Sequence, residues 1–463
     1  MKTNFLSYAV GLCLMVILLL GIFSSVPPFT IGDKTFDKID LLSAIRQEKK
    51  SEPLIEVDFP ELDSLQATID SVAEESQEFC RAGITCIEDY SPDSTALTRF
   101  LDHLVKVKQD NHTMRIAFYG DSFIEGDVFC GSVRDTLQTL FGGRGVGFVP
   151  ITSHVTGFRN TIKHEFDHYK TYSIVSKKDS TDVVDFGPAG YTFRPLEGNR
   201  VTYRVSRQRY MREFSVMRLY YKNSGNAVLH YSINDTVTAS GMLKKGLKLQ
   251  EWKLWNPKAK RINYQFEPFD SLYLYGASFE NGHGVYVDNF SMRGNSGIGL
   301  YAIPDKMFRE FNSYRDYKLI ILQYGLNVVG ADSARYNWYA DRMITVINKM
   351  KKVFPRASIL LLSVSDRATN EGGEFHTINT IPALRNAQRY IAQQTGIAFW
   401  DLFEAMGGED SMVRFVESTP ALAAKDYTHL TFKGGKKLGG KLVKSLLFEL
   451  EQYEKETKAQ KND

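Results

Sequence analysis

The stretch Phe118-Tyr119-Gly120-Asp121-Ser122-Phe123-Ile124-Glu125-Gly126-Asp127 lies where one hydrophobic period gives way to another. Before it, Met114 to Tyr119 is an apolar run broken only by Arg115, the pattern of a buried strand. After it, Val128 to Phe141 carries Val133, Leu137 and Leu140 at helical spacing. Strand, tight turn, serine and helix together hold a hydroxyl above a sheet edge, near N–H groups that favour developing negative charge. A Gly-Asp-Ser tripeptide is also an ordinary helix cap, so a chemical role for Ser122 needs partners elsewhere in the chain.

Outward from this stretch, Thr95 to Val107 reads as a helix leading into the first strand, with Leu97, Phe100, Leu101 and Leu104 on one side. Past Gly297, strands at Lys318 to Gln323, Ala357 to Val364 and Ile397 to Trp400 alternate with helices. Those helices are expected within Ala331 to Val353, from Pro382 to Thr395 and from Lys437 to Tyr453. Such alternation predicts an α/β domain with a covered parallel sheet. Between the halves, short alternating runs separated by turn residues extend from about Thr156 to Asn289. They predict an inserted β-sandwich or jelly roll over residues 156–289, splitting the α/β domain into 96–155 and 290–453. Its Tyr220, Tyr221, Trp252 and Trp255 suit either sandwich core or contact with sugar rings. The glycine-dense Phe141 to Pro150 lacks the Gly-Lys-Ser/Thr ending of a nucleotide loop and is expected to be a turn. Residues 31–95 read as a polar spacer or lid, and 454–463 as a charged, frayed tail.

The chain has 463 residues, a formal charge of +3 and 24% charged residues, which gives no electrostatic case for nucleic acid. Phe5 to Val26 is apolar and uncharged behind Lys2, as in an export signal or a single membrane span. Residues 1–30 are expected to anchor the protein in the inner membrane, with the body in the periplasm or cell envelope; a cleaved signal would leave it secreted there. Of four cysteines, Cys80 and Cys86 can close a small loop in an oxidising compartment, while Cys13 lies in the anchor and Cys130 on the helix after Ser122. Zinc spacing is absent around them, and neither a metal nor an organic cofactor is expected.

Partners for Ser122 occur in three later segments. In Asp426-Tyr427-Thr428-His429, a carboxylate and an imidazole three residues apart can meet across a turn. Asp426 would then hold the tautomer that leaves Nε2 of His429 free to take the Ser122 proton. Asn327 directly follows the strand ending at Gln323 and can donate its amide to an oxyanion. Within Arg293-Gly294-Asn295-Ser296-Gly297, a glycine can present a backbone N–H to the same oxygen.

Gly120-Asp121-Ser122, Gly294-Asn295-Ser296-Gly297, Gly325-Leu326-Asn327 and Asp426-Tyr427-Thr428-His429 together resemble the four blocks of the SGNH (GDSL-type) hydrolases, in that family's order. The resemblance spans residues 114–122 and 290–445. It implies a flavodoxin-like three-layer α/β sandwich with Ser122 as nucleophile, His429 as base and Asp426 behind it. The oxyanion donors it implies are the N–H groups of Ser122 and Gly297 and the side chain of Asn327, with Gly294 as the other match for the glycine block. The wide gap between serine and glycine blocks departs from compact members and fits an insertion. The glycine-rich loop and Glu125-Gly126-Asp127 are similar to a two-domain bacterial subgroup acting on acylated cell-envelope polysaccharides. That similarity implies removal of O-acetyl groups from a glycan such as peptidoglycan. The same serine chemistry would serve an O-acetyltransferase fed by a membrane-bound partner, and a glycan-binding protein without catalysis is the remaining class.

Overall fold

The computed structural model describes Met15, Phe29–Ile31, Lys34–Phe36 and residues 82–462, apart from 177–184, 207–211 and 331–335. The chain divides into two compact units, Met1–Pro53 and Leu54–Asp463. In the first, Phe29–Ile31 pairs antiparallel with Lys34–Phe36. The expected anchor, Phe5 to Val26, lies outside the described residues except for Met15; among those described, no helix is long and apolar enough to cross a membrane. Cys86 is disulfide-bonded, and Cys80 lies outside the described residues.

The second unit is a mixed α/β sandwich joined to a curled antiparallel sheet. Its central sheet contains β1 (Ile87–Asp89), β2 (Thr113–Gly120), β3 (Gly284–Ser291), β4 (Tyr317–Gln323), β5 (Ser358–Leu362) and β6 (Ala398–Trp400). The order across the sheet is β3-β2-β4-β5-β6-β1. All neighbours are parallel except β1, which runs antiparallel to β6 at one edge. The inner strands are almost wholly apolar because helices cover both faces: every residue of β4 and β5 is buried. Helices α1 (Thr98–Asp110), α2 (Cys130–Phe141) and α8 (Phe432–Asn462) pack together, as do α3 (Asp305–Arg315), α4 (Asn337–Val353) and α5 (Ile381–Thr395). Two short helices, α6 (Leu402–Met406) and α7 (Ser411–Glu417), complete the set. Chain order reverses at β2, whose neighbours are β3 and β4, and in open α/β sheets ligands settle beyond the carboxyl ends of strands at such a point.

Several elements differ from the sequence-based expectation. Gly284 to Val287 looked like the last short run of the insertion, yet the strand Gly284–Ser291 pairs parallel with the whole of β2. The region expected as a β-sandwich or jelly roll forms one hydrogen-bonded sheet of nine strands, within which Tyr191–Val205 is long enough to pair with three others. The expected turn after Phe141 contains a strand of that sheet, Arg144–Val149, paired with Leu272–Asn281. Gly147 permits this, because a Cβ there would stand 2.3 Å from Oδ1 of Asp288. Tyr220 and Tyr221 are buried and Trp252 packs edge-on to Tyr231 and Tyr264, which is core packing; Trp255 is exposed. At the C-terminus the expected frayed tail continues as helix to Asn462. A Lys455–Glu451 pair at 2.9 Å and a Lys108–Glu454 pair at 3.2 Å lie along that last stretch.

Buried charge joins the two sheets. Arg315, at the end of α3, donates to both carboxylate oxygens of Asp288 on β3 and meets Glu280 of the antiparallel sheet at 2.8 Å. Asp288 also accepts the Tyr317 hydroxyl and the Phe148 N–H. Removing one member would leave an opposite charge buried without its partner, so the network fixes the register of the sheets against each other.

Candidate active site

At the carboxyl end of β2 the chain turns sharply through Gly120. A Cβ at this position would lie 2.9 Å from the Gln323 carbonyl and from Ile124, so no larger residue fits between β2 and β4. Ser122 follows, half-buried. The predicted helix does not begin at Val128: a single 3₁₀ turn, Glu125–Asp127, intervenes, and α2 starts at Cys130. Gly126 and Asp127 adopt left-handed φ values of 70° and 62°, which interrupt the helix.

The turn is held there by Asp127. Its buried carboxylate accepts from Arg134 at 2.9 Å, Arg159 at 2.7 Å, Thr161 at 2.5 Å and Asn289 at 2.7 Å. Burial alone would raise its pKa, but the two guanidinium groups hold it far below the ordinary carboxylate range. Asn289 also donates to the Ile124 carbonyl at 2.9 Å, so β3 grips the turn directly.

The loop before α8 brings the distant partners. His429 Nε2 stands 2.9 Å from Ser122 Oγ, and its Nδ1 stands 2.7 Å from Asp426 Oδ2. The other Asp426 oxygen accepts the N–H groups of Thr428 and His429, each at 3.0 Å. Burial pushes the Asp426 carboxyl up, but the hydrogen bonds and charge of His429 outweigh it and hold the group at about 2. With Nδ1–H donated to this carboxylate, Nε2 is left as the acceptor facing the serine. Tyr427 takes a left-handed φ of 52° within this loop and stacks on Phe375 with centroids 3.6 Å apart. Phe375 belongs to a hairpin of Ala368–Glu371 with Glu374–Thr377, and the Ala368 N–H donates to the Tyr427 carbonyl at 3.1 Å.

Opposite the histidine, Asn327 reaches the same turn. Its amide donates to Asp121 Oδ2 and to the Asn295 carbonyl, both at 3.1 Å. Gly297 is buried, and its N–H is directed away to the Asn295 side chain at 2.9 Å. Gly294 is exposed, and its N–H, like that of Ser122, has no partner among the described residues. Ser122, Asp426 and His429 are therefore joined in one chain of hydrogen bonds, with Asn327 beside them and Gly297 turned aside.

Sequence reasoning gave no role to Asp121, Asn289 or Asn295. Asp121 is fully buried and accepts the Phe123 N–H at 2.9 Å in addition to Asn327. Burial pushes its carboxyl up to about 7, against the opposing pull of those donors and of His429. Its place between Gly120 and Ser122 was visible, but its bond to Asn327 spans 206 positions. Among the described residues, no group of three or more His, Cys, Asp or Glu side chains is arranged to hold a metal ion.

A solved structure of a peptidoglycan O-acetylesterase matches 79% of this chain and 99% of its own length, with a TM-score of 0.64 and 20% identity. What the two share is a fold. A family two carbohydrate esterase from Cellvibrio japonicus matches 63% of this chain and 99% of its own, with a TM-score of 0.26 and 10% identity. A salicylyl-acyltransferase from a tetracycline biosynthetic pathway matches 62% and 97%, with a TM-score of 0.25 and 12% identity. Likenesses that weak carry no argument about fold or chemistry. No protein-family model and no curated protein matches the chain.

Proposed function

We propose that this chain is an SGNH-type serine esterase that removes O-acetyl or similarly short acyl groups from a glycan of the cell envelope. The observation that carries the reading is the 2.9 Å approach of Ser122 Oγ to His429 Nε2, with Asp426 behind the imidazole. His429 takes the Ser122 proton as Oγ bonds to the ester carbonyl carbon. Collapse of the tetrahedral intermediate breaks the bond to the sugar oxygen, which leaves with the proton from Nε2. Water, deprotonated by His429, then attacks the acyl-serine, and Ser122 Oγ leaves with that proton from Nε2, releasing the carboxylic acid and restoring the serine.

The oxyanion is met by the N–H groups of Ser122 and Gly294 and by the Asn327 amide, which gives up one of its two present acceptors. Gly294 takes this role in place of Gly297, whose N–H is already spent. The strand order around β2 supports a flavodoxin-like arrangement, and residues 144–281 act as an inserted β domain. The fold shared with a peptidoglycan O-acetylesterase supports a glycan as substrate, and the apolar, uncharged run from Phe5 to Val26 supports a place in the cell envelope.

The test is acetate release from O-acetylated peptidoglycan and acetylated xylan by wild type and Ser122→Ala, with and without an acceptor sugar. Release by wild type alone, independent of acceptor, is expected. Equal release by a folded Ser122→Ala protein overturns the reading, and release only with acceptor replaces hydrolysis by transfer.

A further inference from the structure

Buried guanidinium groups in this protein come with counter-ions. Arg134 and Arg159 meet Asp127, Arg315 meets Asp288 and Glu280, and Arg389 meets Glu88 and Asp401. Arg367 departs from that pattern. It is half-buried, yet among the described residues no carboxylate lies within ion-pair distance of it. The hydrogen bond it makes there is a long one, from Nη1 to the Leu326 carbonyl at 3.4 Å. Burial lowers its pKa, and only the more distant charge of Asp426 opposes that. A partly desolvated guanidinium without a counter-ion is costly, and an anion arriving beside it would be favoured on both counts.

Its position gives the cost a purpose. Leu326, which it touches, immediately precedes Asn327 on the oxyanion side. Ala368, the next residue in the chain, donates to the Tyr427 carbonyl between Asp426 and Thr428 on the base side. Asp366, just before it, is clamped by the N–H of Met412 and the hydroxyls of Thr377 and Ser411, so the backbone carrying Arg367 is fixed. Asp426 itself is committed to His429. Arg367 thus stands between the two halves of the site with most of its planar fork of donors unspent, a geometry suited to a carboxylate.

We propose that Arg367 binds a carboxylate carried by the substrate near the scissile ester, so that the preferred substrate is an acidic acetylated glycan. This inference rests on the esterase reading above. The carboxylate has two possible sources, a uronic acid ring or a peptide stem, and the substrates chosen separate them.

The experiment compares kcat and KM of wild type, Arg367→Gln and Arg367→Lys on four substrates: 4-nitrophenyl acetate, neutral acetylated xylo-oligosaccharides, acetylated oligogalacturonides and O-acetylated muropeptides. Thermal melts of each variant run alongside. Arg367→Gln is expected to raise KM roughly 10- to 100-fold on one of the two acidic substrates, with partial recovery in Arg367→Lys and little change on the neutral esters. An equal loss of kcat on neutral and acidic substrates overturns it, because Arg367 would then act only through Asp426. It is also overturned by unchanged kinetics on every substrate, or by a wild type that turns over the neutral oligosaccharides as well as both acidic ones. Turnover surviving in Ser122→Ala would instead defeat the esterase reading, whatever Arg367 does.

Discussion

Asp121 and Asp127 lie on the same turn and are both shut away from solvent, yet their surroundings drive them in opposite directions. Two arginines, a threonine and an asparagine converge on Asp127, and its charge is held far below neutrality. Among the described residues Asp121 has no cation in contact, only the N–H of Phe123 and the amide of Asn327, and burial raises it to about 7. Counter-ion supply, not burial, separates an anchor from a group able to respond near neutral pH. One carboxyl holds the turn in place; the other leans on the donor expected to meet the oxyanion.

This contrast can be broken most forcefully at the anchor. Asp127→Ala leaves Arg134 and Arg159 buried without their counter-ion and is expected to cost about 3–5 kcal/mol in denaturant unfolding. A loss under about 1 kcal/mol would remove the distinction between the two acids. At the reactive end, Asn327→Ala is expected to lower kcat by roughly 10²–10³-fold with little change in melting temperature. If stability falls and kcat holds, Asn327 is an anchor too.

Titration sharpens the same contrast. A carboxyl whose folded pKa is raised binds its proton more tightly when folded, so stability falls as pH climbs from the unfolded value, about 4, to about 7, and is level above that. Asp121→Asn should abolish this slope in unfolding measurements across that window, whereas an unaltered slope would assign it to other groups. The smallest effect is expected at Phe375→Ala, which removes the ring stacked on Tyr427. A loss of about 1 kcal/mol from loosening the His429 loop corresponds to roughly fivefold in kcat, measured at saturating substrate. An unchanged kcat would mean that the loop holds His429 unaided.

The parallel strands and the Ser122, Asp426 and His429 set were legible because each rests on local pattern: apolar runs ending in a glycine, and an acid and imidazole spaced to meet across one turn. The strand Gly284–Ser291 was not, since its alternating apolar residues read like the hairpins before it. Its polar Asp288 and Asn289 have meaning only through Arg315 and Asp127, far away in the chain. The delayed start of α2 has the same cause, because Arg159, Thr161 and Asn289 lie beyond any helical window. Gly294 and Gly297 are interchangeable in sequence. In the structure Gly294 is exposed, whereas Gly297 is buried with its N–H on the Asn295 side chain. Arg367 carried no signal at all, because what distinguishes it is that no carboxylate among the described residues pairs with it.

Rapid-quench mass mapping of the wild-type protein mixed with an acetylated glycan tests the chemistry most directly. An acetyl group should appear on Ser122 within a turnover, fail to build up in His429→Ala, which lacks the base for acylation, and be missing in Ser122→Ala. Acetate released at the wild-type rate with Ser122 never modified, or an acetyl group carried by another residue, would contradict it.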